Sequence, residues 1–150
     1  MLGSEHEQYP MVENKRDAMV ASFEDVRNAV TSQANSEPRP LVLDARSRGR
    51  WEGTQPEPRP GLSSGHMPHS ASLPFSELLD PATKAFLPAP DLRAVLEKRG
   101  VELSASGSSS PVRSVISSCG TGVTAAVIDT ALAEIGFPEE RKLVYDGSWT

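Results

Sequence analysis

The chain of 150 residues holds a single cysteine, Cys119, and its neighbours are chosen for chemistry. An apolar pair, Val115-Ile116, leads into Cys119-Gly120-Thr121-Gly122-Val123-Thr124. A stripe at helical spacing follows, formed by Val127, Ile128, Ala131, Leu132 and Ile135. The pattern is a strand, a cysteine, a glycine-rich turn and a helix. In open parallel sheets, ligands bind where strands end and helices begin. Gly120 and Gly122 allow backbone conformations closed to other residues, so successive N–H groups can turn inward around an anion. The helix N-terminus adds partial positive charge. Both effects lower a thiol's pKa and favour the thiolate, and both would equally stabilise a persulfide or a sulfur-bearing anion. A lone cysteine is more commonly a buried structural residue. Two glycines around an anion-sized turn favour the reactive reading here.

The elements that must hold this loop are legible as short runs. Leu41-Val42-Leu43, ending in Asp44, suits a strand buried on both faces. Ala71–Pro74 and Leu143-Val144-Tyr145 read as further strands. Ser22 and Asp25 form an approximate capping box opening a helix, with Phe23, Val26, Ala29 and Val30 on one face. A second helix spans Asp91–Arg99, with Leu92, Val95 and Leu96 as its apolar face and Gly100 as its stop. A third runs from Val123 to Ile135, stopped by Gly136. Ser76–Leu79 reads as a helical turn. Arg46 to Pro68 is a long loop without secondary structure, of the kind that is functional or disordered. Ser104–Ser110 reads as a flexible surface loop. Helices alternating with short apolar strands give an α/β domain with a mainly parallel sheet.

Composition narrows the classes. The net charge is −5, against the basic balance of nucleic-acid modules. No apolar run has the length of a membrane helix, and the N-terminus lacks the pattern of a signal peptide. One cysteine permits neither an internal disulfide nor a cysteine-rich zinc site, and suits a reducing compartment. No metal or cofactor is expected. The apolar fraction, about 43% once glycine is counted and tyrosine is not, sits a little below the globular norm, so some of the chain should be loop or tail. Residues 1–20, polar and mixed in charge, read as a tail or interdomain linker, and residues 21–150 as the domain.

The segment Cys119-Gly120-Thr121-Gly122-Val123-Thr124-Ala125 resembles the active-site loop of the rhodanese superfamily. It is closer to the mercaptopyruvate sulfurtransferases (Cys-Gly-Ser-Gly-Val-Thr-Ala) than to the classical thiosulfate enzymes (Cys-Arg-Lys-Gly-Val-Thr). Thr121 replaces the commoner Ser and keeps the hydroxyl. The resemblance extends over most of the chain. Tyr9-Pro10 and Ala21–Val26 are similar to the family's interdomain linker and the first helix of its C-terminal domain. Asp44-Ala45-Arg46, the run from Gly49 to Arg59, Gly65-His66-Met67-Pro68 and Tyr145-Asp146-Gly147-Ser148-Trp149 match further motifs in the right order.

This resemblance implies a rhodanese-like, mainly parallel sheet flanked by helices, in a single catalytic domain that ends early at its C-terminus. It implies that Cys119 attacks a donor's sulfur and carries it as a persulfide, until an external thiol such as thioredoxin, or cyanide, removes it. Backbone N–H groups from Gly120 to Thr124 would stabilise the charged sulfur, with Thr121 and Thr124 as candidate hydroxyl donors. Arg50 and Arg59 match the family's substrate-binding arginines, whose guanidinium forks suit a carboxylate. Without the motif, both would read as solvated loop charges. Arg46 reads as structural, tying the loop to the strand end. His66 reads as a turn residue bonded to backbone, Tyr145 as core, and Ser148 and Trp149 as neighbours of the site or of a domain interface. His6 and His69 carry no signal. The family's enzymes are tandem, so a separate N-terminal rhodanese domain is an expected partner beside the small-molecule donor. Nucleic acid and membrane are not expected, and the compartment would be cytoplasmic or mitochondrial. The competing readings are a catalytically impaired binding or regulatory module, and a cysteine phosphatase. The second is opposed by the absence of arginine from Gly120–Ala125.

Overall fold

A computed structural model describes residues 19–31, 39–103 and 113–149. Most of the predicted tail and the Ser104–Ser110 loop lie outside them. Four short strands form one sheet: β1 (Leu41–Asp44), β2 (Ala71–Ser72), β3 (Val115–Ser118) and β4 (Lys142–Val144). Their spatial order is β2-β1-β3-β4 and every pairing is parallel, as expected. Leu41 pairs with Val115 and Asp44 with Ser118, so the two central strands end in register. Val20 extends the far edge through a parallel bridge to Val144.

Both faces of the sheet are covered. Leu41, Leu43 and Val115 point into a core built with Leu92 and Leu96 of helix α3 (Ala89–Lys98) and with Ile128, Ala131 and Leu132 of helix α4 (Ala125–Glu134). Val42 and Ile116, one residue out of phase, pack on the other face against Val26 and Ala29 of helix α1 (Phe23–Thr31) and against Tyr145. A continuous apolar run is what a doubly covered strand requires, because alternate side chains enter opposite layers. Tyr145 is core, as expected. The Ser22–Asp25 box forms: Asp25 N–H donates to Ser22 Oγ (3.2 Å), and Ser22 N–H donates back to Asp25 Oδ2 (2.8 Å).

Four expectations are corrected. The stretch from Arg46 to Pro68 is not without secondary structure, since helix α2 (Arg48–Glu52) lies within it. This five-residue helix buries no residue, so it leaves no apolar periodicity to read. Phe23 does not share the buried face of α1. It is 65% exposed, because the helix meets the sheet only from Val26 onward. Helix α4 begins at Ala125 rather than Val123, and Val123 is exposed. The strand expected over Ala71–Pro74 stops at Ser72, and a 3₁₀ turn covers Phe75–Leu78.

The strand order fixes where a site can form. From β1 the chain crosses to β2 on one side, and from β3 it crosses to β4 on the other. The crevice between the C-terminal ends of β1 and β3 is therefore the topological switch point. Asp44-Ala45-Arg46 leaves one end of it and Cys119 leaves the other.

Candidate active site

Cys119 follows β3 directly and is 1% exposed. The Thr121 backbone N–H donates to its Sγ at 3.4 Å. Burial alone would push the thiol up. Hydrogen bonds from the Thr124 hydroxyl and from the backbone N–H groups of Thr121, Ala125 and Thr124 outweigh it, so the pKa falls below its ordinary value. Thr124 is the N-cap of α4, yet its side chain makes no capping bond to its own helix. Its hydroxyl serves the sulfur instead. Thr121 contributes its backbone rather than its side chain, which differs from the expectation that both hydroxyls act.

The two loop glycines have different reasons. Gly122 sits at φ +83°, the left-handed region that an L side chain enters only at a cost. A Cβ there would also stand 3.3 Å from Asp146 Cα. Gly120 makes room for its neighbour: a Cβ at this position would lie 2.6 Å from Arg50 Nη2 and would displace that guanidinium. The arginine of α2 thus lies directly against the cysteine loop, although 69 positions of chain numbering separate Arg50 from Cys119.

Arg50 is held by Glu57. Its Nε donates to both carboxylate oxygens (3.1 and 3.2 Å) and its Nη2 donates to Oε2 (2.5 Å). Glu57 Oε1 also accepts from Arg46 Nη1 at 2.8 Å. Arg46, with a fully buried side chain, is gripped by Asp44 through Nε (3.1 Å to each oxygen) and Nη2 (2.7 Å), and donates to the Gly65 carbonyl (2.8 Å). Arg46 is structural as expected, binding the end of β1 to the loop. Glu57 is the residue that sequence reading passed over. It appeared only as one letter of a proline-rich motif, yet its side chain is 1% exposed and bridges two arginines. The Arg50 hydrogen bond lowers its pKa against burial, helped by the charges of Arg46 and Arg50.

The remaining positions fall into place around this cluster. Arg59 is exposed and makes no ion pair among the described residues, whereas Arg50 is clamped against the cysteine loop. His66 stacks on Trp51 (ring centroids 3.8 Å apart), and its Nδ1 lies 2.8 Å from the Trp51 carbonyl oxygen, a turn contact as expected. The closing segment reaches the site directly. Trp149 N–H donates to the Cys119 carbonyl (3.1 Å), its indole N–H donates to the Ser63 carbonyl (2.7 Å), and the Arg46 guanidinium lies over its ring at 4.5 Å. Ser148 is buried, with Oγ donating to the Asp146 carbonyl. A groove of 610 Å³ adjoins this segment, with Phe23, Val26, Met67, Tyr145 and Trp149 in its walls. No group of His, Cys, Asp and Glu suited to a metal occurs among the described residues. No helix there is long and apolar enough to cross a membrane.

The arrangement can do one kind of chemistry well. It offers a buried sulfur whose thiolate form is favoured by inward-facing donors, with an oriented guanidinium beside the loop. No model of a known protein family matches the chain. The chain is 40% identical over 143 residues to the thiosulfate sulfurtransferase TUM1 of Saccharomyces cerevisiae, covering 95% of this chain and 45% of that protein. The sulfur transferase subunit seen with yeast mitochondrial complex I superposes with a TM-score of 0.72 at 36% identity, over 89% of this chain and 42% of that one. The rhodanese-fold SseA from Escherichia coli, described as a 3-mercaptopyruvate sulfotransferase, superposes with a TM-score of 0.65 at 29% identity, over 89% and 43%. The chain spans less than half the length of the relatives it matches.

Proposed function

Because the chain belongs to the rhodanese superfamily, together with the thiosulfate and 3-mercaptopyruvate sulfurtransferases, we propose that it carries the nucleophile half of such an enzyme and moves sulfane sulfur through Cys119. The observation that carries this reading is the Cys119 sulfur, buried and ringed by Thr124 and loop N–H donors that favour its thiolate. The thiolate attacks the sulfur of 3-mercaptopyruvate. The carbon–sulfur bond breaks, its electron pair leaves on the enolate of pyruvate, and protonation gives pyruvate and a Cys119 persulfide. With thiosulfate the bond that breaks is sulfur–sulfur, and sulfite leaves. An acceptor thiolate then attacks the outer sulfur and regenerates the Cys119 thiolate. Attack by a second thiol on the acceptor persulfide releases sulfide and leaves a disulfide.

In this scheme the N–H groups of Gly120 to Thr124 stabilise negative charge on both sulfur atoms in turn, as an oxyanion hole does for oxygen. Arg50, beside Gly120, binds the donor's anionic end. Arg59, exposed on the loop that follows, is the second arginine for the same group. The neutral loop favours mercaptopyruvate over thiosulfate, since no basic residue stands at Gly120 or Thr121. With one cysteine in the chain, the acceptor is an external thiol such as thioredoxin. A further rhodanese domain completes the cleft, and the protein works in the mitochondrion or cytoplasm.

Sulfide release from 3-mercaptopyruvate and from thiosulfate, in the presence of a thiol, tests this reading. The expected result is release that is faster with mercaptopyruvate and absent in Cys119→Ser. Equal release by the serine variant would refute the mechanism. The 1% exposure of Cys119 favours one alternative, a module that binds without turning over. A folded protein that gains no mass of about 32 Da, one sulfur atom, from any donor would establish that alternative.

A further inference from the structure

We propose that Glu57 is a positioning residue, holding the Arg50 guanidinium across Gly120 so that an anion reaching the Cys119 loop meets it in one fixed orientation. This rests on the reading of Arg50 as the anion-binding arginine and deepens it. Four observations carry the inference. Helix α2 is five residues long and buries none of them, so no apolar packing of its side chains fixes the Arg50 guanidinium. The Glu57 carboxylate is 1% exposed and engages the Nε and Nη2 edge of Arg50. Arg46 already has Asp44 along its Nε and Nη2 edge and the Gly65 carbonyl besides, so it does not need Glu57 to escape isolation. Gly120 leaves room for Arg50 Nη2 where any side chain would displace it.

The consequence for recognition is specific. Free arginine offers a carboxylate its Nε/Nη2 fork or its Nη1/Nη2 end. Here the fork is taken by Glu57, and Nη1 makes no hydrogen bond to any described residue. A donor's carboxylate therefore meets Arg50 end-on. Asp44, Arg46, Glu57 and Arg50 also sum to no net charge. This four-residue cluster therefore draws an anion through oriented donors at short range rather than through a net positive field.

Cys119 alkylation tests this without using any sulfur donor. Iodoacetate carries a carboxylate, iodoacetamide is its neutral counterpart, and the ratio of their rates reads anion placement at the sulfur. Glu57→Asp keeps the charge but is one methylene too short to bridge both arginines. It should lower the ratio on the order of fivefold, as Arg50→Gln should, and the double variant should fall no further than either single. An unchanged ratio in Glu57→Asp, or losses that multiply in the double variant, would overturn the proposal. If Glu57→Asp lacks a cooperative unfolding transition, Gly120→Ala decides. It displaces Arg50 without touching the Glu57–Arg46 pair, and an unchanged ratio there overturns the proposal equally. A protein that alkylates as expected but releases no sulfide would remove the sulfurtransferase reading and leave this one standing.

Discussion

Replacing Thr124 by valine isolates one hydrogen bond at the nucleophile. The side chain keeps its shape and loses the hydroxyl that donates to Cys119 Sγ. The helix should not notice. Thr124 stands at the N-cap of α4 without making a capping bond, so the usual penalty for losing a cap does not apply. Burial continues to oppose the thiolate while the N–H groups of Thr121, Ala125 and Thr124 remain. The thiol pKa must therefore rise. A hydrogen bond to a charged group is worth about 1.5–3 kcal/mol, and the lower end of that range is roughly a tenfold loss in thiolate over thiol at fixed pH. Ultraviolet absorbance of the thiolate, followed through a pH titration, measures it directly. Because there is one cysteine, the thiolate signal comes from a single site, and a Cys119→Ser titration supplies the tyrosine background to subtract. Thr121→Val serves as the control: its backbone N–H is untouched and its titration should superimpose on that of the parent. A Thr124→Val titration that does not move, or moves down, would refute the reasoning. It would assign the thiolate's stability to the backbone alone.

Arg46→Met should destabilise the domain by about 3–5 kcal/mol in urea unfolding, since it strips Asp44 of its buried counter-charge and Glu57 of one of its two. Glu57 gives stability an acid limb. Its folded pKa is held below the ordinary 4.5, so its contribution is complete above that value and is lost as pH falls through the lower folded one. Glu57→Gln should flatten that limb in stability measured against pH. Lys142 acts at the other end: burial lowers its pKa, but Glu139 and Asp129 raise it more, above 10.5. Its contribution is full below that value and fades as pH rises through the folded one, which Lys142→Met should abolish in alkaline unfolding curves. Gly122→Ala should cost about 1–2 kcal/mol for the left-handed backbone, and more if Asp146 cannot yield, read as a lowered melting temperature.

The strands, the helices α3 and α4 and the cysteine loop were readable because each is written locally. Leu41-Val42-Leu43 is apolar on both faces because both faces are covered. The Ser22–Asp25 pair declares a helix start in four letters. What stayed hidden depends on groups that meet only in three dimensions. Helix α2 has no buried side chain and hence no period. The burial of Glu57 between two arginines leaves no trace in the run Pro56-Glu57-Pro58. The link from Trp149 to the Cys119 carbonyl joins two motifs that read as separate. Arg50 and Arg59 look alike as letters of one motif, and only the fold separates them: one is clamped against the loop, the other is exposed.

The all-parallel order β2-β1-β3-β4 has a kinetic side. No two strands can join through a hairpin, and the central pair, Leu41–Asp44 with Val115–Ser118, closes the longest loop between paired strands of the sheet. Contacts of such high separation are slow to form, because the entropy of closure must be met before they stabilise anything. The walls of the switch-point crevice, Arg46 on one side and Cys119 on the other, come together only at that step. The sulfur should therefore stay an ordinary, freely alkylated thiol until the central pair has zipped. Pulsed alkylation during refolding would then follow the slowest event of folding, and the lone cysteine would serve as its clock.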